Sequence, residues 1–267
     1  MTKRRLDTLL AERGLFPSRT RAAASVMAGE VRVGRGERRA AKPGEMVDVE
    51  EPVSVDRGPS FVSRGGIKLA NALTATDLDV RGRCVLDVGA STGGFTDCLL
   101  QHGARAVIAV DVGYGTLAWE LRTDPRVSVL ERTNARALTP ELLPEVPDVA
   151  VIDVSFISLA KVLPAVLGCL PERYDVLALV KPQFEVGRET VSRGSGVVRD
   201  AGDRRGALIG VGGVAQDLGA SVLGYRSSGL PGPKGNEETF VWLAEPGRTG
   251  AAQGLAEVEE MARAVEP

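Results

Sequence analysis

From residue 83 onward, short apolar runs alternate with segments of helical character. That alternation restricts the architecture more than any other feature of the chain. "CVLDVG", "AVIAVDVG", "VSVL", "DVAVIDVSF" and "DVLALVKP" are strand-like runs rich in Val, Leu, Ile and Ala. Between them stand "GGFTDCLLQHG", "TLAWELRTDP" and "SLAKVLPAVLGCL", which read as helices. Strands that are apolar on both sides need cover on both faces, so this order predicts a parallel α/β sheet with helices on each side. "ASVLGYRSSGL" and "ETFVWLAE" read as two closing strands in a hairpin-like antiparallel edge, and the tail after Pro246 as a helix-prone segment that packs loosely.

The N-terminal segment has a different pattern. Leu6, Leu9 and Leu10 fall at helical spacing before Gly14. Ser18 is placed to cap a second helix whose Ala22, Ala23 and Val26 form its apolar side, with Gly29 as the stop. Val31 and Val33 alternate as a short strand, and Val47 and Val49 as another. The formal charge of −2 hides an asymmetry: residues 1–42 hold 11 Lys/Arg against 4 acids, and the rest holds 22 against 31. A basic module on an acidic body predicts a polyanionic partner. Arg19 and Arg21 open the second helix, where unsatisfied backbone N–H groups also favour phosphate. The run "RRLDTLLAERGLFPSRTRAAASVMAGEVRVG" resembles the RNA-binding fold first named for the fourth small-subunit ribosomal protein, over residues 3–50. Such domains grip structured RNA by shape and phosphate, which makes Arg4, Arg19, Arg21 and Lys42 the expected RNA contacts there. "PVSVDRGPS", residues 52–60, reads as a linker. The boundary then falls between an RNA-binding domain with its linker, 1–59, and a catalytic domain, 60–267.

Several chemistries are excluded. Cys84, Cys98 and Cys169 are far apart and odd in number, forming neither a disulfide framework nor a CxxC knuckle, which fits a reducing cytoplasm. His102 is the only histidine, so a multi-His zinc site is ruled out and no metal is expected to be required. No apolar run approaches the roughly 18 residues of a membrane span, and Asp7, Glu12 and Arg13 interrupt any signal-peptide reading of the basic start.

The first strand-to-helix turn of the body is "DVGASTGGF", with glycines at 89, 93 and 94. A phosphate-cradling Walker loop would need Gly-Lys-Ser/Thr, which is absent, and a dinucleotide Gly-x-Gly-x-x-Gly fails because position 91 is Ser. A loop for S-adenosylmethionine needs no strict phosphate nest and fits. Asp111 ends the second strand, where a carboxylate can accept both hydroxyls of a ribose; that acid suits NAD or S-adenosylmethionine alike. A purely structural tight turn is the other reading of the loop.

"SRGGIKL", "LDVGASTGGFTDCLL", "DVGYGTLAWELRTDPRV", "ERTNAR", "IDVSFISL", "LVKPQFEVG" and "LPGPKGNEETFVWL" together resemble the TlyA (hemolysin A-like) family of ribosomal RNA 2′-O-methyltransferases, and the later motifs are similar to the wider RrmJ/FtsJ class. The resemblance spans nearly the whole chain. It implies a Rossmann-like α/β sheet that uses S-adenosylmethionine, joined to a small N-terminal α+β RNA-binding domain. It also implies a Lys-Asp-Lys-Glu tetrad: Lys68 in "SRGGIKL", Asp153 after the fourth strand, Lys181 in "LVKPQFE" and Glu238 in "GNEETF", where adjacent Glu237 competes for the last place. These four read as strand-end residues on one edge of the sheet.

The residues suit ribose methylation, because a 2′-hydroxyl is a poor nucleophile until its proton leaves. Desolvation at a strand end and a second cation at Lys68 both disfavour charge on Lys181, which suits it as the base. The resemblance further implies that Gly89, Ala90, Ser91 and Gly93 line the methionine and ribose end of the cofactor. Asp111 would hold the ribose, Asn134 would meet the adenine edge, and Asp153 would lie near the methyl group. Phe156 is placed either to stack on an extruded target nucleotide or to pack beneath the site. Arg64, Arg136 and Lys234 extend the basic track. Base amino methylation would want Asn/Asp-Pro-Pro-aromatic where Asp153-Val-Ser-Phe stands, and methylation at a pyrimidine carbon would want a cysteine at a strand end near the site. The expected substrate is cytidine in 16S or 23S ribosomal RNA within ribosomal subunits. The alternatives are a membrane-lytic protein, which the family's hemolysin label suggests, and a non-catalytic RNA-binding assembly factor.

Overall fold

The computed structural model describes residues 2–55 and 61–266. The chain divides into two compact units, residues 1–60 and 61–267.

In the first unit, Lys3–Arg5 (β1) leads into the helices Leu6–Glu12 (α1) and Arg19–Ala28 (α2). Val31–Val33 (β2), Arg38–Arg39 (β3), Met46–Asp48 (β4) and Val53–Val55 (β5) follow. Ser18 Oγ accepts a hydrogen bond from Arg21 N, and Gly29 closes α2 in the left-handed conformation at φ +77°, as the capping residues predict. Leu6, Leu9, Leu10, Ala22, Val26, Val31, Val33, Ala40 and Val47 form the core. Val47 lies in β4, which pairs with β1. The linker reading of 52–60 is corrected in its first half. Val53 and Val55 alternate with Ser54, and β5 pairs antiparallel with β2. Residues 56–60 lie outside the described residues.

The second unit opens with the helix Arg64–Thr76 (α3), followed by Cys84–Val88 (β6), Gly94–Gln101 (α4), Ala106–Val110 (β7), Trp119–Arg122 (α5), Val127–Leu130 (β8) and Val149–Ile152 (β9). Next come Leu163–Leu167 (α6), Asp175–Val180 (β10), Pro182–Glu185 (α7), Arg188–Arg193 (α8), Ala201–Asp217 (α9), Ser221–Ser227 (β11), Thr239–Ala244 (β12) and Leu255–Val265 (α10). The seven strands order as β11-β12-β10-β9-β6-β7-β8. All neighbours from β10 to β8 are parallel. β12 is antiparallel to both β10 and β11, so it is inserted inside the sheet and only β11 forms that edge.

Every residue of β6, β9 and β10 is buried, as strands covered on both faces require. Alternate residues serve opposite cores. Leu86 and Val88 pack in the layer that contains residues of α6, α9 and α10, while Val85 packs with residues of α3, α4 and α5. The C-terminal tail does not pack loosely: Val258 and Ala262, four apart on α10, are fully buried in the first of these cores.

Candidate active site

The ends of β6, β9 and β10 meet at a cavity of about 700 Å³. Gly89 turns the chain out of β6 at φ +90°, and a Cβ there would lie 2.5 Å from the carbonyl oxygen of Asp153. Only glycine lets the turn pass so close to the strand beside it. Gly89, Ala90 and Ser91 line the cavity together with Lys68, Asp153, Lys181 and Glu238. Gly93 precedes α4 at φ +99°, where a Cβ would run into Leu117 and Leu121.

The four tetrad residues form two ion pairs. Lys68 Nζ donates to Glu238 Oε2, and both side chains are buried. Lys181 Nζ lies 2.5 Å from Asp153 Oδ1 and donates to Ser155 Oγ at 2.9 Å. Asp153 Oδ1 accepts no aligned hydrogen bond, so its contact with Nζ is a charge contact. Asp153, Lys181 and Glu238 flank strands as expected, but Lys68 stands on the buried face of α3, which carries Leu69, Ala72, Leu73 and Thr76 inward at helical spacing. The cation at Lys68 is neutralised by Glu238 rather than left to act on Lys181. Glu237 is exposed and faces Arg204 at 3.6 Å, so Glu238 is the glutamate of the cavity.

Around the glycine turn, Asp111 Oδ2 accepts from Ser91 N at 2.8 Å and Oδ1 accepts from Gly113 N at 2.7 Å. Each oxygen keeps a lone pair for a further donor. Asn134 Oδ1 accepts from Arg136 N at 3.1 Å and caps the short 3₁₀ turn Ala135–Ala137.

The reading of Phe156 as a core residue is overturned. The ring is 93% exposed. Its backbone sits at φ +63°, a strained conformation for a bulky residue. The ring lies 5.3 Å from that of Phe184, and both line the cavity. Lys234 is exposed on the same wall. Arg64 Nη2 donates to Pro231 O at 2.6 Å and tethers the loop that leads to Glu238. Arg136 lines a neighbouring depression with Phe156 and Phe184.

In the first unit, Arg4 pairs with Glu12 at 2.5 Å, and Arg19 joins Arg5 on the buried Asp7 carboxylate. These guanidiniums hold that carboxyl far below its ordinary range. The side chains of Arg21 and Lys42 are exposed and make no hydrogen bond or ion pair among the described residues.

Sequence reasoning missed Ser155, Phe184, Gln183 and Asn236, all on the cavity wall. Asn236 Oδ1 accepts from Val198 N at 2.8 Å, and its Nδ2 donates to Gly196 O at 2.9 Å. A buried polar residue inside "GNEE" was the only available hint of that clamp. Among the described residues, no cluster of His, Cys, Asp or Glu is arranged to hold a metal ion.

Asp87, one residue before the end of β6, is fully buried. Its Oδ2 accepts from Thr96 Oγ1 at 2.6 Å, while Oδ1 has no partner among the described residues. Burial pushes the carboxyl up to about 7, with Asp153 and Asp111 adding to the rise and the Thr96 hydrogen bond opposing it. The folded state therefore binds this proton more tightly than the unfolded state. The stability it contributes is full below the ordinary value of 3.8 and is lost as pH rises through about 7. In thermal melts, Asp87→Asn is expected to gain on the wild type between about pH 4 and about pH 7, with the two running parallel above that. A constant difference across that range would contradict the assignment.

The second unit matches the FtsJ-like methyltransferase family over residues 61–245, and the first matches the S4 domain over residues 4–53. The fold and site thus define an FtsJ-like methyltransferase carrying an S4 domain. The 16S/23S rRNA (cytidine-2′-O)-methyltransferase TlyA of Mycobacterium tuberculosis is 50% identical over 254 residues, 94% of each chain. Hemolysin A of Brachyspira hyodysenteriae is 39% identical, covering 88% of this chain and 97% of its own. A solved structure from Streptococcus thermophilus, described as a hemolysin, superposes with a TM-score of 0.73 at 41% identity, covering 99% of this chain and 96% of its own. The chain belongs to the TlyA family.

Proposed function

We propose that the chain methylates the 2′-hydroxyl of cytidine in ribosomal RNA, with S-adenosylmethionine as donor and Lys181 as general base. The observation that carries this reading is the single cavity in which the glycine turn meets the Lys181 amine and its Asp153 partner. The 50% identity to an enzyme named for the same reaction supports the substrate class.

The site fits the cofactor. The turn at Gly89 admits close backbone approach, and the Asp111 carboxylate is already oriented by two N–H groups with lone pairs to spare. Gly89, Ala90 and Ser91 would hold the methionine end, Asp111 the ribose and Asn134 the adenine edge. When bound, S-adenosylmethionine supplies an electrophilic methyl group on a sulfonium. Lys181 Nζ takes the proton of the ribose hydroxyl, so that the oxygen keeps the bonding electron pair as nucleophile. Asp153 holds the amine and stabilises the ammonium that forms. Lys68 and Glu238 neutralise one another and shape the wall beside it.

Phe156 offers its exposed ring to the base of the target nucleotide. Arg64 and Lys234 line the same cavity and Arg136 the depression beside it, which adds positive charge for the RNA backbone, while Arg4, Arg19, Arg21 and Lys42 meet phosphates on the S4 unit. Arg4 and Arg19 retain spare donors beyond their ion pairs. Arg21→Ala and Lys42→Ala are each expected to weaken binding to ribosomal subunits. Each should also lower the slope of log affinity against log salt by about 0.7–0.9, leaving cofactor affinity unchanged. An unaltered slope in both would remove these side chains from the interface.

The test is to incubate the protein, methyl-labelled cofactor and ribosomal subunits, then digest the RNA to nucleosides. Label in 2′-O-methylcytidine is expected; label confined to a base would refute the reading. No helix among the described residues is long and apolar enough to cross a membrane, and no observation on the molecule favours lysis.

A further inference from the structure

A lysine that serves as base must do more than lose a proton. A neutral primary amine has two N–H bonds and one lone pair, and only the lone pair accepts. Unless the amine is held, it rotates and the lone pair faces the hydroxyl only part of the time. Asp153 Oδ1 holds Nζ by a charge contact at 2.5 Å, without an aligned hydrogen bond. Ser155 Oγ accepts from Nζ at 2.9 Å and supplies the directional contact.

We propose that Ser155 is a positioning residue for Lys181. Its hydroxyl oxygen takes up one N–H direction of the amine, and with the Asp153 carboxylate in contact beside Nζ this restricts how the lone pair turns within the cavity. This inference rests on the general-base reading above. In the step itself the ribose O–H bond breaks, its electron pair stays on oxygen, and a new N–H bond forms with the lone pair of Nζ. The resulting ammonium keeps Ser155 Oγ as acceptor and the Asp153 carboxylate as counter-charge, so no partner has to move.

The surroundings fix this geometry from both ends of the bridge. Lys181 is followed directly by α7, whose Glu185 reaches back to the segment that carries Ser155. Glu185 Oε2 accepts from Ser158 Oγ at 2.6 Å, and its Oε1 accepts from Leu159 N at 2.9 Å. The lysine segment and the serine segment are thereby locked together three to four residues beyond the contact that matters. Within the serine segment, the next residue is Phe156 at φ +63°. One strained turn therefore directs the Ser155 hydroxyl at the amine and the Phe156 ring at the cavity mouth. A strained backbone held by such a clamp is a common device for fixing groups that react.

The test compares Ser155→Ala, Ser155→Thr and Lys181→Ala with the wild type. Single-turnover methyl transfer to ribosomal subunits is followed against pH with cofactor and subunits saturating, alongside calorimetric cofactor binding and melting temperature. Ser155→Ala is expected to slow transfer by about tenfold, the scale of one ordinary hydrogen bond. It should also move the pH of half-maximal rate, while cofactor affinity and melting temperature stay as in the wild type. Ser155→Thr keeps the hydroxyl and should return the rate to within a few-fold with the profile restored. Ser155→Ala at wild-type rate with an unmoved profile overturns the proposal, as does a threonine variant as slow as alanine. If Lys181→Ala is slow while Ser155→Ala is not, only the role of Ser155 fails. If Lys181→Ala itself runs at the wild-type rate, the general-base reading fails first.

Discussion

Glu238→Ala is expected to lower the melting temperature of the methyltransferase unit by roughly 6–20 °C. The Lys68 and Glu238 side chains are only 8% and 1% exposed. Removing one partner of a buried pair leaves an uncompensated charge, which costs about 3–5 kcal/mol. A unit of this size loses about 2–4 °C per kcal/mol. The loss arises from the stranded Lys68 cation, so it should be largely reversed by removing that cation as well. Lys68→Met combined with Glu238→Leu fills the same volume without charge and should melt close to the wild type. Scanning calorimetry of the single and double variants checks both statements. A single variant that melts like the wild type would mean that Lys68 reaches solvent.

Lys181→Ala carries the largest expected effect on the reaction. Proton transfer by a positioned side chain is worth about 10²–10⁴ in rate. The alanine variant should lose that factor in single-turnover transfer, because the amine that takes the ribose proton is gone. Cofactor affinity should change little, since the Gly89 turn and the Asp111 carboxylate do not depend on Lys181 for any hydrogen bond. Measuring both quantities on one preparation separates loss of chemistry from loss of binding.

The sequence pattern reveals the parallel core because β6, β9 and β10 are buried on both faces and leave continuous apolar runs. Where other forces decide, the pattern is silent. Helix α9 spans 17 residues, but five are glycine, and they break up the stripe of Ala207, Leu208, Val211 and Ala215 that the helix buries. Val53–Val55 looked like linker because three residues between prolines and charges give no period, yet β2 recruits them by backbone pairing. The tail hid Val258 and Ala262 among small and charged residues. In the site, the motif glycines and the charged tetrad stand out because few residue types can do their work. Lys68 was assigned to a strand end because "SRGGIKL" contains two glycines that obscure α3. Ser155 and Asn236 have no signature at all: a serine in a loop and an asparagine in a turn acquire roles only when the chain brings Lys181 and Gly196 to them.

Whether Lys181 acts as a base is read most directly from the single-turnover rate of Lys181→Arg, with methyl-labelled cofactor and ribosomal subunits both saturating. Arginine keeps the positive charge opposite Asp153 but stays protonated and accepts no proton. The account predicts that this variant is as slow as Lys181→Ala while still binding the cofactor. An arginine variant that transfers methyl groups at the wild-type rate would show that position 181 supplies charge alone, and that the proton leaves by another route.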